Sequence, residues 1–421
     1  MADSRVVSSV RSWAGGLVPE RGTARTLALL TMVQAVGFGL FLSASTIFLR
    51  RSVGLSAGEV GVGLSVAGLA GLLLTVPIGR AADRWGARLP LVTVYALLAV
   101  LFAGYTMVSG LVSFVLIASA ISICETSSTP LRMTLTYEAF EPAARVRVSA
   151  QMRSFFNVGI VFGAAMASVA VAMNSREAFV AVMVVTAACH AGCALIAARV
   201  PARRPQVSSD GRDPVRSRSG LRDLRFVSLA LLCGVLELYQ PILTVGLPLW
   251  IMDHTEAPTS VYSILLILNT VLVIALQVVA SRAAETATGA AALLRRAGLL
   301  LALGCLVFAF SEATSPMVAV PLLLLGTAVL VWGEISQAAG SWGVSLHLPP
   351  PGRQGDYQGV FALGRGLQQT VGPFLVATVV VSNGQPGWWG LAALFVLAGV
   401  ACPPLTRAAQ NRRSDLALAG R

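Results

Sequence analysis

Lysine is absent from this 421-residue chain, so all 31 basic residues are arginine. Acidic residues number only 19 and histidines only three, and charged residues make up 12% of the sequence. Soluble globular domains carry about 25% charged residues, and their hydrophobic share is lower than the 56% found here. The composition therefore excludes an ordinary soluble protein. We interpret the missing lysine as a bias of a GC-rich genome, typical of an actinobacterium, and give it no mechanistic weight.

The scarcity of catalytic residue types argues against an enzyme. The three histidines, His190, His254 and His347, are scattered, and no nucleophile is paired with a base. Cys189, His190 and Cys193 have no zinc-type spacing and lack a fourth ligand, so neither a metal site nor a cofactor is predicted. The six cysteines all lie in apolar runs, as buried hydrophobic residues do.

The net charge of +12 does not indicate nucleic-acid binding, because the arginines are spread over short connections between apolar runs. These runs are continuous and most are near the ~20 residues that a helix needs to cross a bilayer, which predicts transmembrane helices rather than barrel strands. We count twelve spans: 26–48, 58–79, 89–108, 111–133, 148–173, 177–199, 226–251, 259–281, 291–311, 317–340, 357–381 and 387–406.

The connections alternate between arginine-rich and short or acidic sequences, which predicts that both termini are cytoplasmic. Residues 200–225 form the single long connection, rich in Pro, Ser, Gly and Arg, and we expect a flexible cytoplasmic linker. The predicted organisation has five parts: an N-terminal tail (1–25), a six-helix bundle (26–199), the linker (200–225), a second six-helix bundle (226–406) and a C-terminal tail (407–421).

A short basic loop lies between the second and third spans and contains Gly79, Asp83, Arg84, Gly86 and Arg88. This pattern, G-x-x-x-D-R-x-G-x-R, resembles the loop between the second and third spans of the major facilitator superfamily. The resemblance implies an all-α membrane protein with twelve helices in two six-helix pseudo-repeats. It also implies a cavity between the halves, alternating access to a central site, and a conformational gating role for the five loop residues.

A degraded copy of the loop supports the two-fold repeat. Residues 80–83 read R-A-A-D, and residues 282–285 read R-A-A-E, at the same point of the second half. The second copy lacks the later Gly and Arg. Internal repeats of this kind are typical of secondary transporters, which bind substrate at the interface of the repeats.

Three acids fall inside predicted spans, at Glu125, Glu237 and Glu334, where an ionised side chain costs about 2.5–3.5 kcal/mol on insertion scales. Each acid is followed by polar residues at i+3 and i+7, which predicts a polar stripe on one helix face directed away from lipid. The stripes are Glu125, Ser128 and Arg132; Glu237, Gln240 and Thr244; and Glu334, Gln337 and Ser341.

Glu125 is the predicted proton-coupling acid, because Arg132 and Arg153 lie on its own span and the next. A low-dielectric environment favours a neutral carboxyl and a nearby guanidinium favours the ionised one, so a moving arginine would change its proton affinity. The alternative is a purely structural ion pair between Glu125 and either arginine. The predicted substrate-binding residues are polar side chains of six spans: Gln34, Asn157, Glu237, Gln240, Asn269, Glu334, Gln337, Arg365 and Gln368.

The expected function is export of a small amphipathic compound, such as a drug or secondary metabolite, coupled to protons. The resemblance extends to a bacterial, actinobacterial exporter branch, with the chain in the plasma membrane as a monomer whose partners are substrate, protons and lipid. Residues 117–119 lack the basic residue that drug/proton antiporters of the family carry in this region. An uptake carrier for a polar metabolite therefore stays open, as does a non-transporting scaffold or sensor.

Overall fold

The computed structural model describes residues 19–173, 175–201, 220–258, 261–350, 352–381 and 383–419, and within these ranges all regular structure is helical. The helices of the N-terminal part are α1 (Thr23–Phe48), α2 (Ala57–Trp85), α3 (Arg88–Tyr105), α4 (Leu111–Ala139), α5 (Pro142–Met173) and α6 (Arg176–Ala198). Those of the C-terminal part are α7 (Leu224–Leu236), α8 (Leu247–His254), α9 (Val261–Ser281), α10 (Ala287–Ala309), α11 (Pro316–His347), α12 (Gln354–Val376) and α13 (Gln385–Ala419).

Ten helical stretches in the described residues are long and apolar enough to cross a membrane. Two predicted spans fall outside this set: the eighth, which is α9 and whose apolar part is limited to Ile264–Gln277, and the eleventh, which is α12. The hydrophobic content of α12 is low because it contains four glutamines, one arginine and one aspartate. All twelve predicted spans coincide with helices, and the all-α membrane fold is confirmed.

Several helices extend beyond the predicted spans. The helix α4 ends at Ala139 rather than 133, and α13 continues to Ala419, into the predicted C-terminal tail. Hydropathy predicts only the apolar part of a helix. Polar residues with good helix propensity can extend the same helix beyond the hydrocarbon core, which explains why the observed helices are longer than the predicted spans. Most of the predicted linker and the first 18 residues lie outside the described part of the chain.

The predicted seventh span is not one continuous helix. It begins as α7, continues through a single turn at Tyr239–Pro241 and a π-helical turn at Ile242–Gly246, and ends as α8. Pro241 and Pro248 lack the N–H that an α-helix interior requires, which accounts for the break. The predicted stripe of Glu237, Gln240 and Thr244 is therefore wrong as a single α-helical face, and Thr244 is exposed.

Contacts between Cα atoms divide the chain into two compact units. The first contains the described residues of Met1–Glu141, Val148–Ser217 and Pro351–Ala362, and the second those of Pro142–Arg147, Arg218–Pro350 and Leu363–Arg421. The first residues of α12 thus group with the N-terminal helices, and the rest of α12 groups with the C-terminal helices. Hydropathy cannot predict such a division, because it marks spans and not their contacts.

The helices of each unit approach closely at glycines. In the first unit, a Cβ on Gly159 would lie 2.5 Å from the Met32 carbonyl oxygen, and one on Gly163 would lie 2.2 Å from that of Val36. This small-xxx-small spacing, visible in the sequence, is what allows the backbones of α1 and α5 to approach so closely. In the second unit, a Cβ on Gly234 would lie 2.4 Å from the Gly364 carbonyl oxygen.

Large apolar side chains cover much of the outer surface of both units. Leu73, Val100 and Leu116 in the first unit and Phe374 and Leu397 in the second are each exposed by two thirds or more. Such surface is costly in water and suits contact with lipid acyl chains. All six cysteines lie in helices, five of them buried and Cys189 partly buried.

Replacing Gly163 by alanine tests the close contact of α1 and α5. The new methyl group would meet backbone atoms of Val36 and Leu40, which cannot move aside without shifting α1. We expect a destabilisation of about 1–3 kcal/mol, seen as a lower Tm of the detergent-solubilised protein. Gly68→Ala is the control, because nothing lies within 4 Å of a Cβ at that position. Equal Tm values for the two variants would contradict the contact.

Candidate functional site

Polar side chains gather inside the first unit at a site that we name the N-cluster. Its members come from α1, α3, α4 and α6: Gln34, Tyr95, Glu125, Ser128, Arg132 and His190. The hydrocarbon core of a bilayer contains no water. Each of these polar groups must therefore form hydrogen bonds with another protein group or with water that the protein admits.

Glu125 is the centre of the N-cluster. Its Oε1 lies 2.9 Å from His190 Nε2, and its Oε2 accepts a hydrogen bond from Gln34 Nε2 at 3.1 Å. The His190 side chain is fully buried, whereas 18% of the Glu125 side chain is exposed. Gln34 and His190, which belong to two other helices, thus hold the Glu125 carboxylate, and one edge of this side chain stays exposed.

Arg132 contacts Gln34 rather than Glu125. It donates hydrogen bonds to Gln34 Oε1, to the Tyr95 hydroxyl at 2.9 Å and to Thr129 Oγ1 at 3.1 Å. Gln34 therefore bridges the guanidinium and the carboxylate: it accepts from one and donates to the other. The predicted association of Arg132 with Glu125 is realised through this amide.

The remaining predicted residues of the first unit lie on α5. Arg153 and Asn157 are one helical turn apart and both partly buried. The hydrogen bonds described above join α1, α3, α4 and α6. The coupling role of Arg153 and the substrate role of Asn157 stay predictions.

Two acids of the second unit are buried, each with a different partner. Glu237, 4% exposed, receives a bidentate interaction from Arg365, whose Nε and Nη2 donate to its carboxylate at 3.1 Å and 2.8 Å. Glu334, also 4% exposed, accepts a hydrogen bond from Asn269 Nδ2 at 2.8 Å. The structure thus pairs four of the residues predicted to bind substrate.

Two further amides of the second unit differ in how well they are satisfied. Gln337 Nε2 donates to Ser341 Oγ at 3.0 Å and to the Cys233 carbonyl at 3.3 Å, so its stripe on α11 is hydrogen-bonded internally. The Oε1 atom of Gln368 is buried and has no hydrogen-bond partner among the described residues. Gln240 is partly buried at the break after α7.

The loop between α2 and α3 makes its main contact with the start of α12, within the first unit. Asp83 accepts hydrogen bonds from the backbone N–H groups of Gly355 at 2.5 Å and Asp356 at 2.7 Å. These donors belong to the first turn of α12, where N–H groups have no intrahelical partner and the helix dipole favours a negative charge. Asp83 therefore caps α12 from another helix.

Glycine and arginine residues complete this contact. A Cβ on Gly79 would lie 2.1 Å from the Gly355 carbonyl oxygen, so the two backbones meet directly. Asp356 in turn pairs with Arg80 at 3.0 Å and Arg353 at 2.6 Å, which offsets the repulsion between the Asp83 and Asp356 carboxylates.

The other predicted gating residues have separate positions. Arg84 is exposed, and its guanidinium lies 5.9 Å from the ring of the adjacent Trp85. Arg88 Nη1 donates to the Val200 carbonyl at 3.2 Å, which ties α3 to the end of α6. Gly86 has a φ of 81°, a conformation that side chains disfavour, and so ends α2 sharply.

Sequence reasoning missed four of the residues in these contacts: Tyr95, His190, Arg80 and Asp356. His190 was considered only with Cys189 and Cys193 as a metal site. A single histidine in an apolar run gives no signal for a partner 65 positions away. Arg80 and Asp356 are 276 positions apart and lie in different repeats, so no local pattern links them.

The comparisons with known proteins agree with this geometry. A family model described as Major Facilitator Superfamily matches residues 27–373. The chain therefore belongs to the major facilitator superfamily and is a multi-pass membrane transporter rather than an enzyme. A search of curated proteins found no match.

Solved structures share the fold at low sequence identity. A bacterial homologue of the iron transporter ferroportin matches with a TM-score of 0.71 and 12% identity, over 93% of this chain and 100% of that one. A human organic anion transporter matches with 0.65 and 16%, over 92% and 99%. The E. coli fucose:proton symporter matches with 0.64 and 15%, over 92% and 98%.

A double-mutant cycle tests the Glu237–Arg365 pair. Arg365→Gln leaves a buried carboxylate without its guanidinium, and we expect a loss of about 3 kcal/mol of stability, at the low end for a buried pair because 38% of Arg365 is exposed. Glu237→Gln should cost less, and the double variant should recover part of the loss. Additive Tm changes would show that the two side chains do not interact.

A second prediction concerns the cap on α12. Asp83→Asn keeps the size of the side chain but removes its charge and one of its two acceptor oxygens. One buried N–H of α12 then loses its acceptor, and we expect a destabilisation of about 1–3 kcal/mol, measured as a lower Tm. Asp253→Asn is the matched control, because Asp253 is exposed at the end of α8. A control variant that loses as much stability as Asp83→Asn would refute the cap.

Proposed function

We propose that this transporter exports a small amphipathic organic compound, such as a drug or secondary metabolite, by alternating access coupled to protons. The observation that carries the proposal is the position of Glu125, a carboxylate hydrogen-bonded to two other helices of the first unit yet partly exposed. A carboxylate exposed to hydrocarbon alone would be costly, so its open edge indicates a wet surface from which protons can be exchanged.

The bridge through Gln34 supports a coupling role for Glu125 and Arg132. Protonation of Glu125 removes the charge that Gln34 Nε2 contacts at 3.1 Å and weakens that hydrogen bond. Gln34 is then free to turn, and Arg132 loses one of its three side-chain acceptors. The protonation state of one side chain thereby sets the position of a buried cation. Arg153, one helix away, is the second candidate for this movement.

The second unit supplies the groups that we assign to substrate. Glu237 and Glu334 provide negative charge, Asn269, Gln240 and Gln337 provide amides, and Arg365 provides a cation. The buried Gln368 Oε1 lacks a hydrogen-bond partner among the described residues and is available to a donor on the substrate. Mixed carboxylates and amides suit a compound with a cationic or polar group on an apolar body. Gln34 and Asn157 are the proposed contacts from the first unit.

The contact of the α2–α3 loop with α12 supports a gating role for Gly79, Asp83, Arg84, Gly86 and Arg88. Asp83 and Gly79 hold the start of α12, and Gly86 and Arg88 fix the direction of α3 behind them. Breaking the cap frees the first turn of α12 at a cost of the two hydrogen bonds that its N–H groups donate to the Asp83 carboxylate. The proposed setting is a bacterial plasma membrane, with both termini cytoplasmic and the chain acting as a monomer.

The amide groups of the second unit favour one alternative, an uptake carrier for a polar metabolite. Asn269 and Gln337 are already hydrogen-bonded within the unit, which leaves Gln368 as the amide best placed to recognise hydroxyl groups. The two functions differ in direction. Loaded vesicles with an imposed proton gradient distinguish them, since only an exporter moves compound against the direction of proton flow.

Glu125→Gln tests the coupling directly. The variant keeps the shape of the side chain but cannot bind or release a proton. In a host lacking its own exporters, we expect the wild-type protein to raise survival on some members of a compound panel. Glu125→Gln should reduce survival to that of cells with the empty vector, as should an uncoupler added to wild-type cells.

Glu177→Gln is the matched control, because Glu177 is exposed at the start of α6 and away from the N-cluster. It should protect as the wild type does, at equal expression. Proton-coupled export is refuted if Glu125→Gln keeps full, uncoupler-sensitive protection. Survival that is unchanged by the wild-type protein across the panel, together with proton-dependent accumulation of sugars or nucleosides in vesicles, would favour the uptake carrier.

A further inference from the structure

The second partner of Glu125, His190, has a fixed hydrogen-bond arrangement. Its Nδ1 lies 2.8 Å from the backbone carbonyl of Thr186, one turn earlier on α6. A carbonyl oxygen can only accept, so Nδ1 must carry a hydrogen. The tautomer of the ring is therefore determined by the helix itself, and the remaining nitrogen, Nε2, points to Glu125.

The contact of Nε2 with Glu125 requires one proton. Nε2 and Oε1 are 2.9 Å apart, a distance at which two bare lone pairs repel each other. Either Nε2 is protonated and donates to a carboxylate, or Glu125 is protonated and donates to neutral Nε2. Both forms contain the same number of protons and both have zero net charge.

The two partners differ in access. His190 has no exposed surface, and the rings of Phe102 and Tyr95 lie over it at centroid distances of 4.8 Å and 6.3 Å. Glu125 is the member of the pair with an exposed edge. A proton on Nε2 can leave toward the exposed surface only by way of the carboxylate.

We propose that Glu125 and His190 form a single proton-binding site, in which one proton is shared between His190 Nε2 and Glu125 Oε1 and Glu125 exchanges it with the wet surface. The inference rests on the proposed function, since it identifies the proton-carrying group of the same site. Release leaves a carboxylate facing the Nε2 lone pair, and the proton passes to water at the open edge of Glu125. The pair then carries one negative charge and its 2.9 Å contact becomes repulsive.

The charged and titratable groups around the pair favour this release. Tyr95 faces it from α3, Cys124 and Arg132 from α4, and Cys193 from α6, while α1 contributes the uncharged Gln34. Arg132, the cation among these neighbours, is linked to Glu125 by the Gln34 amide. Its positive charge compensates the carboxylate when the proton leaves, so deprotonation draws Arg132 toward Glu125.

Nitrogen-15 NMR of the imidazole rings tests the shared site without any substrate. The full chain, labelled at histidine and held in lipid nanodiscs, has three histidines, and each signal is assigned by a single His→Gln variant. We expect His190 Nδ1 to be protonated at every pH and its Nε2 signal to shift with pH. In Glu125→Gln this titration should disappear or move its midpoint. His254→Gln, on α8 in the second unit, should leave the His190 signals unchanged.

A His190 titration that is the same in wild type and Glu125→Gln overturns the proposal, as does a bare Nδ1. If Glu125→Gln does not fold, the infrared absorption of the protonated carboxyl in His190→Gln examines the pair from its other side. The pH at which that band appears should shift relative to wild type, and an unchanged band contradicts the inference.

These results separate the inference from the proposed function. A coupled titration of Glu125 and His190 in a protein that protects no cell from any compound supports the proton site and refutes export. Uncoupler-sensitive protection with independent titrations supports export and refutes the shared site.

Discussion

A polar group inside a bilayer can be satisfied only by another part of the protein or by water that the protein admits. This constraint accounts for the internal arrangement of both units. Glu237 meets a bidentate guanidinium and Glu334 meets an amide, and both are almost completely buried. Glu125 is the exception, because its partners leave one edge open. This exposed part of Glu125 is the feature on which its proposed proton-coupling role rests.

Backbone contacts impose a second condition on the same helices. Hydrocarbon offers no hydrophobic gain for joining two apolar helices, so close packing and backbone approach must supply the association energy. Gly159 and Gly163 bring α1 near α5, and α1 carries Gln34 into the N-cluster. Gly79 brings α2 against the start of α12 and places Asp83 over its exposed N–H groups. Small residues thus determine how closely the helices that carry these polar side chains approach one another.

The sequence predicted the helices well, because continuous apolar runs are a strong signal with one structural solution in a membrane. The burial of Glu237 and Glu334 also followed from the cost of charge in hydrocarbon. Pairing could not be predicted in the same way. The contacts of Glu125 with Gln34 and His190 join residues that are 91 and 65 positions apart. Periodicity assigns a side chain to a helix face but does not say which helix that face meets.

In the predicted seventh span, two prolines break a helix that hydropathy predicts to be continuous. The apolar run 226–251 has the length of a single span, yet Pro241 and Pro248 divide it into α7 and α8. The prolines were visible in the sequence, but hydropathy gives them little weight. The helix α12 poses the opposite difficulty, because its glutamines, arginine and aspartate lower its hydropathy. Two of these polar residues, Asp356 and Arg365, form ion pairs.

The native cysteines have a practical consequence for spectroscopy. A thiol must be accessible and ionised to react, and five of the six here are buried within helices. Water-soluble maleimides should therefore label the native chain poorly. Because lysine is also absent, amine-directed reagents find no side chain to modify. Fluorophores or spin labels could then be attached at single engineered cysteines, such as one at the exposed Asp253, without first removing the native thiols.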